Sequence, residues 1–255
     1  MEKIEHIGIA VKSLESSNEL FAKLFGQSHY KIEEVLGIGG FGITYKALDT
    51  RLQRAVAIKE FLPAELAIRD SSSSLVKARS DRSEDFQFTL ERFLLEAQIL
   101  AKFDHPNIVK VTHFVEANGT AYLIMDYVYG QSLSDHLKST KRPVEEGLLL
   151  DWAIPLLRGL AEVHEAGFLH RDIKPQNILL EGGVEHMRAA KLVDFGIAHL
   201  LDLPSPAEAS IDLKPGQVGI TGTPKFMSPE QIRMLDHKQG PWTDLYSLGC
   251  LAWYM

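Results

Sequence analysis

The stretch His170-Arg171-Asp172-Ile173-Lys174-Pro175-Gln176-Asn177, followed by Asp194-Phe195-Gly196, decides the reading of this chain. It sets two metal-seeking side chains, Asn177 and Asp194, seventeen residues apart, with a candidate general base, Asp172, just upstream. The apolar run Ile178, Leu179, Leu180 and then Lys191-Leu192-Val193 predict a β-hairpin that brings the two ends together. Chemistry on phosphate oxygens asks little covalent help of a protein. It needs Mg²⁺ to neutralise those oxygens and a carboxylate to orient the attacking hydroxyl. This segment supplies both.

The rest of the composition sets bounds. At 255 residues the chain holds one large domain or two modest ones, with ample material for a core. Its 45% hydrophobic and 24% charged residues are those of an ordinary soluble globular protein. A net charge of −7 argues against a nucleic-acid or anionic-membrane surface. The single cysteine, Cys250, excludes a disulfide within the chain and fits a reducing, cytoplasmic setting. No apolar run approaches the ~20 residues that span a bilayer. The opening Met1-Glu2-Lys3-Ile4-Glu5-His6 lacks the layout of a secretory signal.

Along the chain, residues 31–60 alternate and carry Ile32, Val35, Ile43, Tyr45, Val56 and Ile58, broken by Gly37-Ile38-Gly39-Gly40-Phe41-Gly42. That pattern predicts a strand, a tight glycine turn, a second strand and a third. Residues 70–85, with Ser71 to Ser74 in a row, predict a mobile surface connection. Phe86, Leu90, Phe93, Leu94, Ala97, Leu100 and Ala101 form one helical stripe, which ends before Asp104-His105-Pro106. Strands are expected over 109–116 and 120–127, joined at Asn118-Gly119. After Gly130 the pattern turns helical, with Leu156, Leu157, Leu160, Val163 and His164 on one face and Gly167 as terminator. Pro155 should kink that helix or lie near its start. Residues 201–219 predict a long irregular loop. Trp242 to Met255 predicts a last helix, with Leu245, Leu248 and Ala252 on its apolar side and Leu251 at the edge.

The glycines at 37, 39 and 42 form G-x-G-x-x-G, a pattern shared with dinucleotide-binding folds. Here they lead into another strand rather than a helix, and the residue of interest downstream is Lys59 in Ala55-Val56-Ala57-Ile58-Lys59. Together with the catalytic stretch, Gly222-Thr223-Pro224 and Ser228-Pro229-Glu230, these motifs resemble the protein kinase superfamily in order and spacing over residues 30–255. Lys174, two residues after the aspartate, is similar to the serine/threonine branch. Glu60-Phe61-Leu62-Pro63 resembles the bacterial eukaryotic-like kind.

The resemblance implies an α+β, two-lobe fold: an antiparallel-sheet small lobe with one main helix over 30–128, and a mainly helical, C-terminally incomplete large lobe over 129–255. It implies transfer of the γ-phosphoryl group of Mg-ATP to Ser or Thr of a protein substrate. Asp172 would accept the hydroxyl proton and Lys174 would stabilise the transferring group. Asn177 and Asp194 would hold Mg²⁺. Gly37, Gly39 and Gly42 would cover the phosphates, and Lys59 would contact them, held by Glu96 rather than its rival Glu91. Ala57, Met125, Asp126, Val128 and Leu179 would frame ATP, with Thr44 making one wall more polar than the family's usual valine. Arg171 would pair with a phosphate on the activation segment, Thr221 and Ser210 being candidate sites. His170 and Phe195 are expected to pack rather than react.

The two ends depart from this pattern. Residues 1–26, with Ile4-Glu5-His6-Ile7-Gly8-Ile9-Ala10-Val11, resemble the opening strand and helix of a methylmalonyl-CoA epimerase of the vicinal-oxygen-chelate superfamily. His6 would be a ligand there, but the other ligands of a mononuclear site are not in this chain. Near the other end, Asp244-Leu245-Tyr246-Ser247-Leu248-Gly249 resembles the helix that anchors the large lobe. The family's later helices carry an arginine that pairs with Glu230, so Glu230 is expected to lack its partner. A catalytically impaired nucleotide-binding or interaction module is therefore the alternative function.

Overall fold

The computed structural model describes residues 29–70, 75–140, 146–182, 189–195, 224–233 and 235–255. These fall into two compact units. The first takes the described residues up to Lys102 and Lys110–Tyr127; the second takes Phe103–Val109 and those from Val128 onward.

In the first unit, β1 (Tyr30–Gly39), β2 (Gly42–Asp49) and β3 (Arg54–Phe61) follow one another as antiparallel neighbours. Next to β3 comes β7 (Thr120–Asp126) and then β6 (Val111–Ala117), giving the sheet order β1-β2-β3-β7-β6. Alternation sends Ile32, Ile43, Tyr45, Ala47, Val56, Ile58, Tyr122 and Ile124 to one face, where they form a buried core. The sheet curls enough for its two edge strands to meet, Tyr30 Oη lying 3.2 Å from His113 Nε2. On the other face lies α1 (Ser83–Leu100), whose Phe86 and Phe93 rings sit 5.5 and 5.3 Å from the Phe61 ring.

Residues 70–85 are not simply the irregular connection their polarity predicts. β4 (Ala67–Arg69) pairs with β5 (Val76–Ala78), and the helix already starts at Ser83. The Val76 N–H donates to the Asn118 carbonyl, so the hairpin is fixed against the β6–β7 turn.

The second unit does not turn helical directly after Gly130. A short strand, β8 (Gly130–Ser132), comes first and lies beside β9 (Ile178–Glu181), which pairs with β10 (Ala189–Leu192) as the expected hairpin. A Cβ on Gly130 would stand 1.9 Å from the Leu180 carbonyl oxygen, so only glycine allows this approach. Two helices follow β8, α2 (Leu133–Thr140) and α3 (Glu146–Glu165). In α3 the buried stripe is Trp152, Leu156, Leu160 and Val163, whereas Leu157 is exposed, contrary to expectation. Pro155 lies well inside the helix rather than near its start. Phe168 and Gly167 donate to the Val163 and His164 carbonyls to end it.

The short α4 (Pro229–Ile232) begins in a capping box between Ser228 and Gln231. The last helix, α5 (Pro241–Tyr254), buries Thr243, Asp244, Ser247, Leu248 and Leu251. Its inner face is therefore rotated from the expected one. Leu251 is fully buried and Leu245 about half exposed, because Thr243 and Asp244 have partners off the helix in Glu230 and His164, while Ser247 bonds back to the Thr243 carbonyl.

Candidate active site

The loop 170–177 folds so that its polar atoms meet. Asp172 Oδ2 takes the Lys174 ammonium at 2.6 Å and the Asn177 amide nitrogen at 2.9 Å. The same Asn177 nitrogen reaches the carbonyls of Asp172 at 2.9 Å and Asp194 at 3.3 Å. A 3-10 turn, Pro175–Asn177, delivers Asn177 to this point, and the Val193 N–H donates to the Asn177 carbonyl at 3.0 Å. Asp172, Lys174, Asn177 and Asp194 thus come together as expected. Two oxygens remain without a protein partner among the described residues, Asp172 Oδ1 and Asn177 Oδ1. The first suits a hydroxyl. The second is a hard oxygen donor of the kind Mg²⁺ prefers, on a side chain whose amide nitrogen lies 3.3 Å from the Asp194 carbonyl. The donor set fits that ion.

The backbone here is held in unusual conformations. Arg171 and Asp194 both have positive φ, 64° and 54°. Such angles in non-glycine residues persist only where the surroundings enforce them, and they gather at functional sites. For Arg171, Asp244 of α5 supplies the enforcement. Fully buried, it accepts the Arg171 N–H at 2.7 Å through Oδ1. Its Oδ2 takes the His170 N–H at 2.8 Å and lies 2.7 Å from His164 Nε2. The Gln231 side chain donates to the Arg171 carbonyl at 2.8 Å, fixing the other side of the residue. Sequence reasoning missed Asp244 as a site residue. Its placement in the motif Asp244-Leu245-Tyr246 was the available signal.

His170 is fully buried and stacks on Phe195, ring centroids 4.3 Å apart. Burial lowers its pKa against the opposing pull of Asp244, Asp172 and Asp194. Both rings therefore pack, as expected. Glu230, expected to lack the family's arginine, accepts a bond from Thr243 Oγ1 at 2.7 Å. Burial acts to raise the Glu230 carboxyl, but bonds from Thr243, a backbone N–H and Ser228 prevail and lower it.

In the first unit the glycine turn joins β1 to β2, with Gly39 opposite Gly42 and Gly37 opposite Thr44. Gly42 has φ of 150°, and a Cβ there would stand 1.8 Å from the Glu60 carbonyl oxygen. A Cβ at Gly37 or Gly40 would meet nothing within 4 Å. Lys59 lies across from Thr44 on β2 and Leu123 on β7. Glu96 is buried on α1 and Glu91 is exposed, which separates the two candidates by burial. Ala57 and Met125 are buried partners across β3 and β7. The Asp126 side chain pairs with Arg54 at 2.9 Å, and its N–H donates to the Lys110 carbonyl. In the second unit Val128 is half-buried and Leu179 sits on β9 opposite Lys191. Thr221, Ser210, Gly196, His6, the loop 201–219 and all of residues 1–28 lie outside the described residues.

Residues 30–255 match the family described as "protein kinase domain". The chain belongs to that family. It is 33% identical over 230 residues to the serine/threonine-protein kinase pkn3 of Myxococcus xanthus, covering 89% of this chain and 37% of that protein. The chain spans less than half the length of the curated relatives it matches. Among solved structures, the apo form of PpkA-294 is 34% identical with a TM-score of 0.70, over 89% of this chain and 75% of that one. Rad53 1-466 in complex with AMP-PNP is 25% identical with a TM-score of 0.60, over 88% and 47%. No helix among the described residues is long and apolar enough to cross a membrane.

Proposed function

We propose that this chain transfers the γ-phosphoryl group of Mg-ATP to a serine or threonine hydroxyl of a protein. The observation that carries the reading is the cluster of Asp172, Lys174 and Asn177, joined to the Asp194 carbonyl by the Asn177 amide. Asp172 Oδ1 orients the acceptor hydroxyl and takes its proton as the new O–P bond forms and the bond to the ADP oxygen breaks. Lys174 neutralises charge on the group in transit. Asn177 Oδ1 and the Asp194 carboxylate hold Mg²⁺, which when bound supplies charge neutralisation for the phosphate oxygens. The open backbone around Gly37, Gly39 and Gly40 covers the phosphates, while Gly42 closes the turn. Lys59 contacts them, and Glu96 holds Lys59. Ala57, Met125, Asp126, Val128 and Leu179 frame the adenosine. Arg171 takes a phosphate on Thr221. That Rad53 was solved with AMP-PNP supports nucleotide use.

The finer readings go with this. Residues 1–28 are a strand-helix segment of epimerase-like origin joined ahead of a family match that begins at residue 30. The single cysteine and the net charge of −7 support a cytoplasmic protein without a nucleic-acid partner. The test is label transfer from γ-labelled ATP to the chain or an added protein, with Asp172→Asn as control. Nucleotide binding with no transfer by either form would sink the kinase reading and leave a binding module.

A further inference from the structure

The first unit buries a charged cluster that this chemistry does not use. Glu60 follows Lys59 on β3, so the two side chains face opposite sides of the sheet. Glu60 is fully buried. It lies opposite Tyr122 on β7, and Tyr45 of β2 donates its hydroxyl to Oε2 at 3.0 Å. Arg69 of β4 places Nη2 2.5 Å from Glu60 Oε1. Burial raises the pKa of both phenols, which keeps Tyr45 and Tyr122 neutral beside the carboxylate. For Arg69, burial opposes the charge and Glu60 outweighs it. A buried carboxylate is retained only with such a counter-charge.

From this pair a continuous line of bonds leads to the helix that carries Glu96. Arg69 sits on the β4–β5 hairpin, which the Val76 N–H ties to Asn118. Just beyond β5, the Arg79 N–H donates to the Leu66 carbonyl and its guanidinium reaches the Ala64 carbonyl at 3.1 Å. The Arg79 carbonyl accepts from Arg82, whose own carbonyl accepts from Phe86 in the first turn of α1. No side chain caps that helix. Its start is set by the hairpin instead. At the other side of Glu60, the Leu62 N–H donates to the Phe41 carbonyl in the glycine turn.

We infer that the Glu60–Arg69 ion pair is a clasp that fixes β3, the glycine turn and the start of α1 together, making Arg69 a positioning residue for the ATP phosphates. The inference rests on the kinase reading above. Arg69 touches no reacting atom; it acts through the strand that bears Lys59 and the helix that bears Glu96.

The experiment is a titration of the full chain with a fluorescent ATP analogue in Mg²⁺, alongside thermal unfolding, for the unsubstituted protein, Arg69→Met, Arg69→Lys and Ile32→Val. Ile32→Val thins the same core without touching Glu60. Arg69→Met is expected to weaken the analogue by about tenfold or more, and Arg69→Lys, which keeps charge but loses the planar fork, by a few-fold. Ile32→Val should lower the melting temperature and leave affinity within about twofold. If Arg69→Met does not fold, Arg69→Lys decides. Arginine variants that melt earlier yet bind within about twofold of the unsubstituted chain would overturn the clasp and leave a purely structural ion pair. No binding by the unsubstituted chain would instead remove the kinase reading on which the clasp rests.

Discussion

At the scale of single residues, the proposed site divides into side chains assigned to the chemistry and side chains that hold the backbone still. Asp172, Lys174 and Asn177 lie within six residues, so their meeting was legible from spacing alone. Asp244 was not. Its partners His164 and His170 are 80 and 74 residues away, and an acidic residue at a helix start reads first as a partner for the helix dipole. The same holds for Thr243, which answers the Glu230 carboxylate where the family's arginine was expected to be missing. Asp244→Asn keeps the volume but turns an NH₂ group toward N–H donors. It should cost about 2–3 kcal/mol of stability in urea unfolding. Label transfer should fall as the Arg171 backbone relaxes. His170 yields a pH prediction. Its pKa is lowered in the folded state, so the unfolded chain binds more protons and stability falls as pH drops below the ordinary value of 6.5. The slope from this group is at most ~1.4 kcal/mol per pH unit. Unfolding of His170→Phe, which keeps the stack on Phe195, should lose that part of the dependence between about pH 6.5 and 5.

Elements were legible where their period repeated often enough. The three strands around the glycine turn and the helix Ser83–Leu100 each show several apolar positions in register, and all were expected. The hairpin β4–β5 was not, because two strands of three residues leave no alternation to count. In α5 Leu248 is buried as expected, but the inner face is turned away from Leu245 toward Leu251. Counting leucines alone favoured Leu245 over the polar residues that face inward. The glycine turn makes a contrast that can be measured. Gly42→Ala drives a Cβ into the Glu60 carbonyl, whereas the nearest atom to a Cβ at Gly39 stands 4.0 Å away. Urea midpoints should show Gly42→Ala destabilised by roughly 1–3 kcal/mol and Gly39→Ala nearly neutral. Gly39→Ala should act on ATP affinity instead.

For the molecule as a whole, the residues proposed for the chemistry are found in both units. Lys59, Glu96 and the glycine turn belong to the first, and Asp172, Lys174, Asn177 and Asp194 to the second. The family match starts at residue 30, so residues 28–255 expressed alone should bind the ATP analogue as the full chain does. Weakened binding by that shorter chain would instead show that the leading segment supports the fold. The central claim is phosphoryl transfer through Asp172, and the most direct measurement is incorporation of label from Mg²⁺ and γ-labelled ATP. The unsubstituted chain should label itself or an added protein, and Asp172→Asn should do so about a hundredfold or more slowly while binding nucleotide equally well. Equal labelling by the two forms would contradict the assignment of Asp172, and no labelling by either, with binding intact, would contradict the kinase itself.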